Sequence, residues 1–503
     1  MTELPNTSAR RALPIRIRWP ALLLTVAAVA MLAACSMVPD YIKPTEKLPD
    51  NYQNDAKAAD AAVPAPKSLW WENFGSTELN SLVERGLGNN HDLKSAVARV
   101  VEAEAEARAA RSSLFPTLAG VYNDQLVYPD AGIGIPERLG ANAEALRTTQ
   151  IGLRTQYEFD FWGKNQASID TALAEAQASE YDRETAALTL VSDIVSTYML
   201  YLEMSDRLVL AQQNAKNASE TAQTVKALAD VHEASRIDVA QQNTALAQAQ
   251  ATIPAYTIQM AQAHDRIAIL LGLTPTDLKL TGKSINELSV PAIAPGAPSE
   301  LLLRRPDIQK AEAELRAANA NIGAARALYL PDFSLTIEGG RGANYLADLI
   351  LPQSLYYNIV GSAVQMIFDG GKTDAQVDYA KAKYEELVQS YRSAIVGALR
   401  EVEDSLVAAQ YLTDQEKADQ DALKTAIEAN ELSNIAYKAR SLDYLPLLET
   451  ERTRYNAQDQ VVQIRTQRLA TAIALYKALA GDIYPYKDIK EAAPPVQSAA
   501  AKQ

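Results

Sequence analysis

The chain has 503 residues, of which 48% are hydrophobic and 22% are charged, so it is long and apolar enough to bury a large core. Its formal net charge of −14 excludes a nucleic-acid partner, because such a partner needs a cationic face. The 3 histidines lie far apart, and the sequence has no metal-ligand spacing, phosphate-binding glycine loop or nucleophile motif, so we expect no enzymatic activity, no metal and no cofactor.

The N-terminus has the features of an export signal. Several arginines precede an apolar run that ends at Ala34 and is shorter than the about 20 residues of a membrane-spanning helix. Residues 1–34 are therefore predicted to be a lipoprotein signal peptide. Cys35, the single cysteine of the chain, follows in a context that resembles a bacterial lipoprotein box. That resemblance implies acylation of Cys35 and, because no aspartate follows, retention at the outer membrane.

The segment after Cys35 lacks any apolar period. Residues 35–68 are rich in Pro, Asp and Ala, which predicts an acylated N-terminal tether. The aromatic cluster Leu69–Phe74 is expected to dock this tether onto the body of the protein. The stretch Thr77–Leu114 then predicts a helix that breaks once and restarts at Asn90 or Asp92, because both residue types favour helix N-caps.

The rest of the chain carries the same order of elements twice: a helix, two strands, a very long helix, a turn and a shorter helix. We predict a first repeat at 69–290, with strands near 116–128 and 149–161 and a helical hairpin at 164–272. We predict a second repeat at 291–485, with strands near 331–341 and 356–369 and a helical hairpin at 372–481. A disordered tail is expected at 486–503.

The predicted strands alternate apolar and polar residues, so each presents one apolar face. The predicted apolar positions are Ile151, Leu153, Tyr157, Phe159 and Phe161 in the first pair and Phe333, Leu335, Ile337, Val360, Val364, Met366 and Phe368 in the second. A soluble sandwich would show the same alternation, but these strands are long enough for a tilted crossing of a bilayer, which takes about 9–11 residues. Their connections, near Tyr128–Arg147 and Arg341–Leu355, are long, as outer loops often are.

The long helices have no interior proline and almost no glycine. Each is predicted to be roughly 100 Å long at 1.5 Å per residue, which requires partners along its whole length. The returning helices, near Ile237–Leu271 and Leu445–Leu479, are about half as long. In the second long helix Val388, Tyr391, Ile395 and Ala398 recur at the spacing of a coiled-coil seam.

The most specific string runs from Leu301 to Ile308 and continues through Ala311 to Arg326. Physically it is a helix start, because Pro306 suits the first turn and Asp307 favours the positive end of the helix dipole. It also resembles the hallmark of TolC-like outer-membrane factors of the NodT lipoprotein type. Three further strings carry the same resemblance, namely Tyr157–Gly163, Ile367–Lys372 and Ala398–Leu406.

The resemblance implies a mainly α fold with a membrane β-barrel, internally duplicated and homotrimeric, in which four strands per protomer form a twelve-stranded barrel above an α-helical periplasmic tunnel. It implies an outer-membrane exit channel of a tripartite efflux pump, fed by a resistance-nodulation-division type inner-membrane pump through a periplasmic adaptor. Independently, four strands cannot close in lipid, because open edges would leave backbone groups unpaired. The residues alone allow two, three or four copies, and the resemblance selects three.

Other functions fit parts of the pattern. A TolC-like duct for type I protein secretion belongs to the same class. A periplasmic adaptor or a structural coiled-coil lipoprotein belongs to another, although adaptors have one hairpin per chain and glycine-rich β segments. The net-negative chain is also expected to favour cations in its tunnel.

The candidate functional residues lie at the two helical turns. In relatives the second hairpin narrows the pore, which suggests the gate candidates Tyr437, Arg440, Asp443, Tyr444 and Glu449. The first turn offers the adaptor-docking candidates His232, Ser235, Arg236 and Asp238. The family usually has a glycine at each turn, and here we align His232 and Arg440 with those positions.

Overall fold

The computed structural model describes residues 36–53, 69–127, 146–293, 298 and 304–479. The predicted signal peptide, Cys35, much of the tether and the C-terminal tail lie outside these residues. The helices are α1 (Thr77–Asn89), α2 (His91–Arg111), α3 (Lys164–Asp230), α4 (Arg236–Leu270), α5 (Pro306–Ala327), α6 (Lys372–Lys438) and α7 (Tyr444–Ala478). The strands are β1 (Thr117–Val127), β2 (Leu146–Phe159), β3 (Asp332–Ala343) and β4 (Leu355–Val364).

This order of elements confirms the predicted fold class, with a helix, two strands and a long helical hairpin in each half. The chain forms two compact units that cut across the sequence repeats. The first unit comprises 1–42, 106–173 and 316–384 and holds all four strands. The second comprises 43–105, 174–315 and 385–503 and holds both helical turns. The repeat boundaries drawn from the sequence stay a prediction.

The break between α1 and α2 lies where the sequence predicts it. Asn90 ends the first helix through its backbone N–H, which donates to the Gly86 carbonyl at 2.8 Å. Its side-chain Oδ1 accepts from the Leu93 amide at 2.8 Å and so caps the second helix. Of the two predicted restart caps, Asn90 is correct, and Asp92 lies within the first turn of the helix.

The strands of the first unit form one antiparallel sheet in the order β1-β2-β3-β4. The register places Leu118, Tyr122, Ile151, Leu153, Tyr157, Phe159, Phe333, Leu335, Ile337, Tyr357 and Ile359 on one face, the apolar face. The opposite, polar face carries a small network in which Arg154 Nε and the Tyr356 hydroxyl donate to the two carboxylate oxygens of Glu338 at 2.8 and 2.9 Å. The sheet is therefore amphipathic, with many large apolar side chains exposed.

The predicted apolar face of the last strand is wrong by one residue. Val360 pairs with Thr336, and Val364 pairs with Asp332, which puts both valines on the polar face. Met366 and Phe368 lie beyond the end of β4. Because side chains alternate with a period of two, a shift of one residue exchanges the faces of the whole strand.

Two glycines allow the sheet to curve. Gly152 and Gly340 are paired across β2 and β3 and lie on the polar face. A Cβ at Gly152 would lie 2.5 Å from the Gly339 carbonyl oxygen, and one at Gly340 would overlap the backbone at Ile151. Gly120 lies on the apolar face and has open space around it. Crowding on one face only indicates that the polar face is concave and the apolar face convex.

The core of the second unit is built on the aromatic cluster that precedes α1. Trp70 and Phe74 are fully buried, and Trp70 stacks on Tyr476 of α7 with ring centroids 5.1 Å apart. Glu78 fastens the same region, because the Tyr198 hydroxyl and the Thr281 and Gly282 amides all donate to its carboxylate. Burial opposes ionisation of Glu78, yet these hydrogen bonds hold its pKa below its usual value.

The start of α5 carries the most specific sequence motif, and hydrogen bonds of Arg305 hold this helix end in place. This nearly buried guanidinium forms a bidentate pair with Asp307 at 3.0 and 2.7 Å. Its Nη1 also donates to Glu401 of α6 at 2.7 Å and to the Ala478 carbonyl, at the end of α7, at 3.1 Å. One arginine thus ties the start of α5 and the end of α7 to the middle of α6.

One described helix, Lys164–Asp230, is long and apolar enough to cross a bilayer, but 61% of its most apolar window is buried inside the chain. Packing against other parts of the protein accounts for its composition.

We expect Gly152→Ala to lower the free energy of unfolding by about 1–3 kcal/mol, because the new methyl group would overpack the concave face. Gly120→Ala is the matched control on the convex face and should change it by at most about 0.5 kcal/mol. Urea titration followed by circular dichroism measures both values. Equal effects of the two substitutions would contradict the assignment of the concave face.

Candidate functional site

The two helical turns of the second unit share one backbone conformation. His232 has a φ of 61° and Arg440 a φ of 60°, and these are the only non-glycine residues with positive φ in the described parts of the chain. In the first turn the His232 and Glu233 amides donate to the carbonyls of Ala229 and Leu228 at 3.0 and 2.8 Å. This pattern is a Schellman motif, whose left-handed position is usually glycine.

The second turn repeats the motif. The Arg440 and Ser441 amides donate to the carbonyls of Tyr437 and Ala436 at 3.0 and 2.9 Å. The sequence alignment of His232 and Arg440 with glycine positions thus falls on the two residues that adopt the left-handed conformation. A residue other than glycine costs roughly 1–2 kcal/mol in the left-handed conformation. His232 and Arg440 therefore each lower the stability of their turn relative to glycine.

The docking candidates divide into two kinds. Ser235 and Asp238 form a capping box at the start of α4, in which the Asp238 amide donates to Ser235 Oγ at 3.0 Å and the Ser235 amide donates to Asp238 Oδ2 at 2.9 Å. Their side chains therefore stabilise the helix end. His232 and Arg236 are exposed and leave their side chains available for other contacts.

A bidentate ion pair connects the two turns. Arg440 Nη1 and Nη2 each lie 2.7 Å from a carboxylate oxygen of Glu233. Exposed ion pairs contribute little in general, about 0.2–1 kcal/mol, but bidentate geometry favours the upper part of that range. The sequence analysis named Arg440 and missed Glu233, because two residues in separate hairpins carry no shared local pattern.

The gate candidates occupy different environments. Tyr444 is buried, and its hydroxyl donates to Gln242 of α4, whose Nε2 donates to the Ala218 carbonyl of α3 at 2.9 Å. The Tyr437 ring meets the Tyr444 ring edge to face, with centroids 6.2 Å apart. Burial raises the pKa of both tyrosines, so each remains a neutral hydroxyl.

The remaining gate candidates lie at the surface of the protomer. Asp443 precedes α7 without a side-chain capping bond, and Glu449 points outward one turn further along. The structure therefore brings Tyr437 and Tyr444 together and joins Arg440 to the first turn, but it does not draw Asp443 or Glu449 into that group.

Two half-buried polar contacts that sequence reasoning missed join α7 to α3. The Thr221 hydroxyl donates to Glu451 Oε1 at 2.9 Å. Burial raises the pKa of Glu451, although the hydrogen bond from Thr221 and the charge of Arg454 act in the opposite direction. Further along, Arg207 forms a bidentate pair with Asp459, at 2.8 and 3.0 Å.

Arg207 is the centre of a larger network. It also reaches Glu203 at 3.3 Å, and its guanidinium lies 4.8 Å from the centre of the Tyr256 ring of α4. These contacts hold α3, α4 and α7 in a fixed axial register, since a slide of one helix would break several of them together. The described residues contain no group of His, Cys, Asp and Glu able to hold a metal ion.

Comparisons with known proteins show which family and fold the chain resembles. The model of the outer membrane efflux protein family matches residues 82–273 and 297–481. The chain is 35% identical to the pyoverdine export outer membrane protein OpmQ of Pseudomonas aeruginosa, over 91% of this chain and 96% of that relative. It is 31% identical to the toluene efflux pump outer membrane protein TtgI of Pseudomonas putida, over 90% and 97% of the two chains.

Solved structures with the same fold include two outer-membrane channels. The channel OprN superposes with a TM-score of 0.81 and 26% identity, over 89% of this chain and 99% of that chain. The open state of the MtrE outer membrane channel of Neisseria gonorrhoeae superposes with a TM-score of 0.78 and 28% identity, over 89% of this chain and 99% of that chain.

The raised pKa of Glu451 gives a testable pH dependence. The folded chain binds this proton more tightly than the unfolded chain, so the stability contributed by the group is present at low pH and is lost as the pH rises through the folded pKa. Glu451→Gln keeps an acceptor for Thr221 without the charge, and we expect it to raise stability at neutral pH and flatten this part of the pH profile.

Glu449→Gln is the matched control, because this carboxylate is exposed on the same helix. Denaturant midpoints of both variants and of the unsubstituted chain, measured between about pH 4 and pH 8, show whether Glu451→Gln raises stability at neutral pH. A lower midpoint for Glu451→Gln at every pH would show that the carboxylate is stabilising in its charged form, contrary to expectation.

Proposed function

The chain belongs to the outer membrane efflux protein family, and from that premise we propose that it is the passive exit duct of a tripartite efflux pump. It is an outer-membrane channel component of an efflux system. The main observation behind the wider proposal is the amphipathic sheet, whose convex face exposes apolar side chains. Its outer strands, β1 and β4, each pair on one side only among the described residues. Free edges are unstable in lipid, so the sheet must be continued by further copies.

We propose that three copies form the duct. Three sheets of four strands give a twelve-stranded barrel, and the concave polar faces would line its lumen. An inner-membrane pump of the resistance-nodulation-division type, acting through a periplasmic adaptor, would supply substrate and energy. The chain itself would perform no chemistry, consistent with its lack of any motif for a nucleophile or a cofactor.

Small compounds are the proposed substrates. The relatives OpmQ and TtgI are named for pyoverdine export and toluene efflux, and the chain matches nearly the whole length of both. Neither the amphipathic sheet nor the two long helical hairpins, in the part of the chain that the structure describes, favours polypeptide secretion, adaptor activity or a purely structural role over this function.

Acylation of Cys35 is part of the proposal, although that residue lies outside the described residues. Its neighbour Ser36 lies against Gly163, just beyond the end of β2. Nearby, the Met37 amide donates to the Trp162 carbonyl at 3.4 Å, and Asn319 Nδ2 donates to the Pro39 carbonyl at 2.7 Å. These contacts hold the segment at the end of an amphipathic strand, where an acyl chain on Cys35 would reach the bilayer.

Cys35→Ala is expected to remove the whole acyl mass from the mature chain. Intact-mass spectrometry of protein extracted from outer membranes measures this loss, and Ser36→Ala serves as the neighbouring control that should keep it. Identical masses, apart from the substitution itself, for Cys35→Ala and the unsubstituted chain would exclude lipidation at this cysteine.

The first turn is the proposed adaptor-docking surface. Its exposed residues include the charged or titratable Asp230, His232, Glu233 and Arg236 and the apolar Val231 and Ile237. Ser235 and Asp238 contribute by fixing the shape of the helix end. A surface that combines apolar side chains with charges of both signs suits a partner with apolar groups and complementary polar groups.

The ion pair between Arg440 and Glu233 is the proposed latch of the closed channel. It joins the two hairpins of one protomer at their turns, so opening one hairpin away from the other must break it. Tyr437 and Tyr444 support the latch by packing the second turn onto α4 through Gln242. Asp443 and Glu449 are exposed and are proposed to contact neighbouring copies or the lumen.

We expect Arg440→Ala and Glu233→Gln each to raise single-channel conductance in planar bilayers severalfold, because losing about 1 kcal/mol per protomer favours the open state. The charge exchange Glu233→Arg with Arg440→Glu should restore low conductance. Arg236→Ala removes an exposed cation from the first turn and leaves the pair intact, so it should have no such effect. Unchanged conductance in both single variants would rule out the latch.

A further inference from the structure

The connection between β3 and β4 has an unusual composition for a loop at the rim of a sheet. The sequence predicts an outer loop here, yet the segment contains the apolar residues Tyr345, Leu346, Leu349, Ile350, Leu351 and Leu355. Leu349 is buried, whereas Ile350 is 83% exposed. Leu346 and Tyr345 are also exposed, so the segment presents an apolar surface outward.

This connection folds against the apolar face of the sheet. Arg341 belongs to that face, because it pairs with Ile151 and Leu355. Its Nη1 donates to the Leu349 and Leu351 carbonyls at 3.0 and 2.9 Å, which brings the connection over the same face. Thr149, which shares the face, is fully buried, while Ile151 two residues further along β2 is 51% exposed.

The connection covers the apolar face over the two inner strands of the sheet. The segment Leu346–Ile350 packs chiefly on β3 and β2, the two inner strands. Further copies of the chain would join at the edges, which are β1 and β4. A neighbouring copy that extends the sheet therefore leaves Leu346 and Ile350 uncovered.

Several backbone groups of the connection form hydrogen bonds within this part of the chain. The amides of Asp348, Leu351 and Ser354 donate to the carbonyls of Tyr345, Asp348 and Leu351 at 3.0, 3.1 and 3.1 Å. The Ser354 hydroxyl donates to the Leu349 and Leu351 carbonyls at 2.7 Å, where Arg341 donates as well. A loop in water does not need such pairing, but backbone in contact with lipid does, because no water is present to replace a missing hydrogen bond.

We propose that the segment 345–355 is an interfacial membrane element that inserts Leu346 and Ile350 into the boundary between head groups and acyl chains of the outer leaflet. The proposal rests on the proposed function, since it requires the convex face to be the lipid-facing surface of an outer-membrane barrel. The segment continues that face, extends the apolar band at the rim and places Tyr345 and Tyr357 where aromatic side chains favour the interface. Its occupant is lipid, not a second copy of the chain.

Site-directed spin labelling tests the insertion. A nitroxide is attached to a cysteine at position 350 in the full chain reconstituted in phospholipid bilayers, and its accessibility to oxygen and to a water-soluble nickel chelate is measured. Ile359→Cys on the apolar face and Asn123→Cys on the polar face are the matched controls. The chain without an added cysteine shows whether Cys35 takes up label.

We expect the label at Ile350→Cys to resemble that at Ile359→Cys, with an oxygen-to-nickel ratio severalfold above that at Asn123→Cys. If position 359 favours oxygen and position 350 favours nickel, the connection extends into water and the inference is wrong, while the proposed barrel stands. Low access to both reagents at position 350 would mean that protein covers it, which also overturns the inference. If position 359 favours nickel, the proposed barrel itself fails.

Discussion

The stability of the protein in a membrane depends on how the two edge strands of its four-stranded sheet are paired. Among the described residues, β1 and β4 each pair with another strand on one side only, and the sheet between them exposes a broad apolar face. Neither feature is stable in water alone, and the edges are unstable in lipid unless they are paired. Association of several copies resolves both problems together, and the close pair Gly152 and Gly340 provides the curvature that a closed barrel needs.

The helical unit solves a different problem with different interactions. Helices as long as α3 and α6 cannot be stabilised by one compact core, so polar contacts recur along them. Arg305 fastens the helix ends, Arg207 and Glu451 fix the register further along, and the ion pair between Glu233 and Arg440 joins the turns. This ion pair is more exposed than the contacts of Arg305 and Arg207 and is therefore weaker, which suits a part of the duct that must open.

The sequence predicted the parts of this protein that depend on local patterns. The period of two located the strands, proline and glycine bounded the long helices, and Asn90 capped α2. It did not predict the face of β4, because Val360 and Val364 are apolar residues on a polar face and only strand pairing reveals this. Glu233 and the folded connection between β3 and β4 were missed for a similar reason, since both depend on contacts between distant segments.

The number of chains in the assembled channel tests the central claim most directly. Native mass spectrometry of the protein extracted from outer membranes in mild detergent counts the copies in each particle. We expect a particle of three chains, held together by pairing between β1 of one copy and β4 of the next. A folded single chain that retains its strands in the same detergent would contradict the account, because its sheet would then be stable with both edges open.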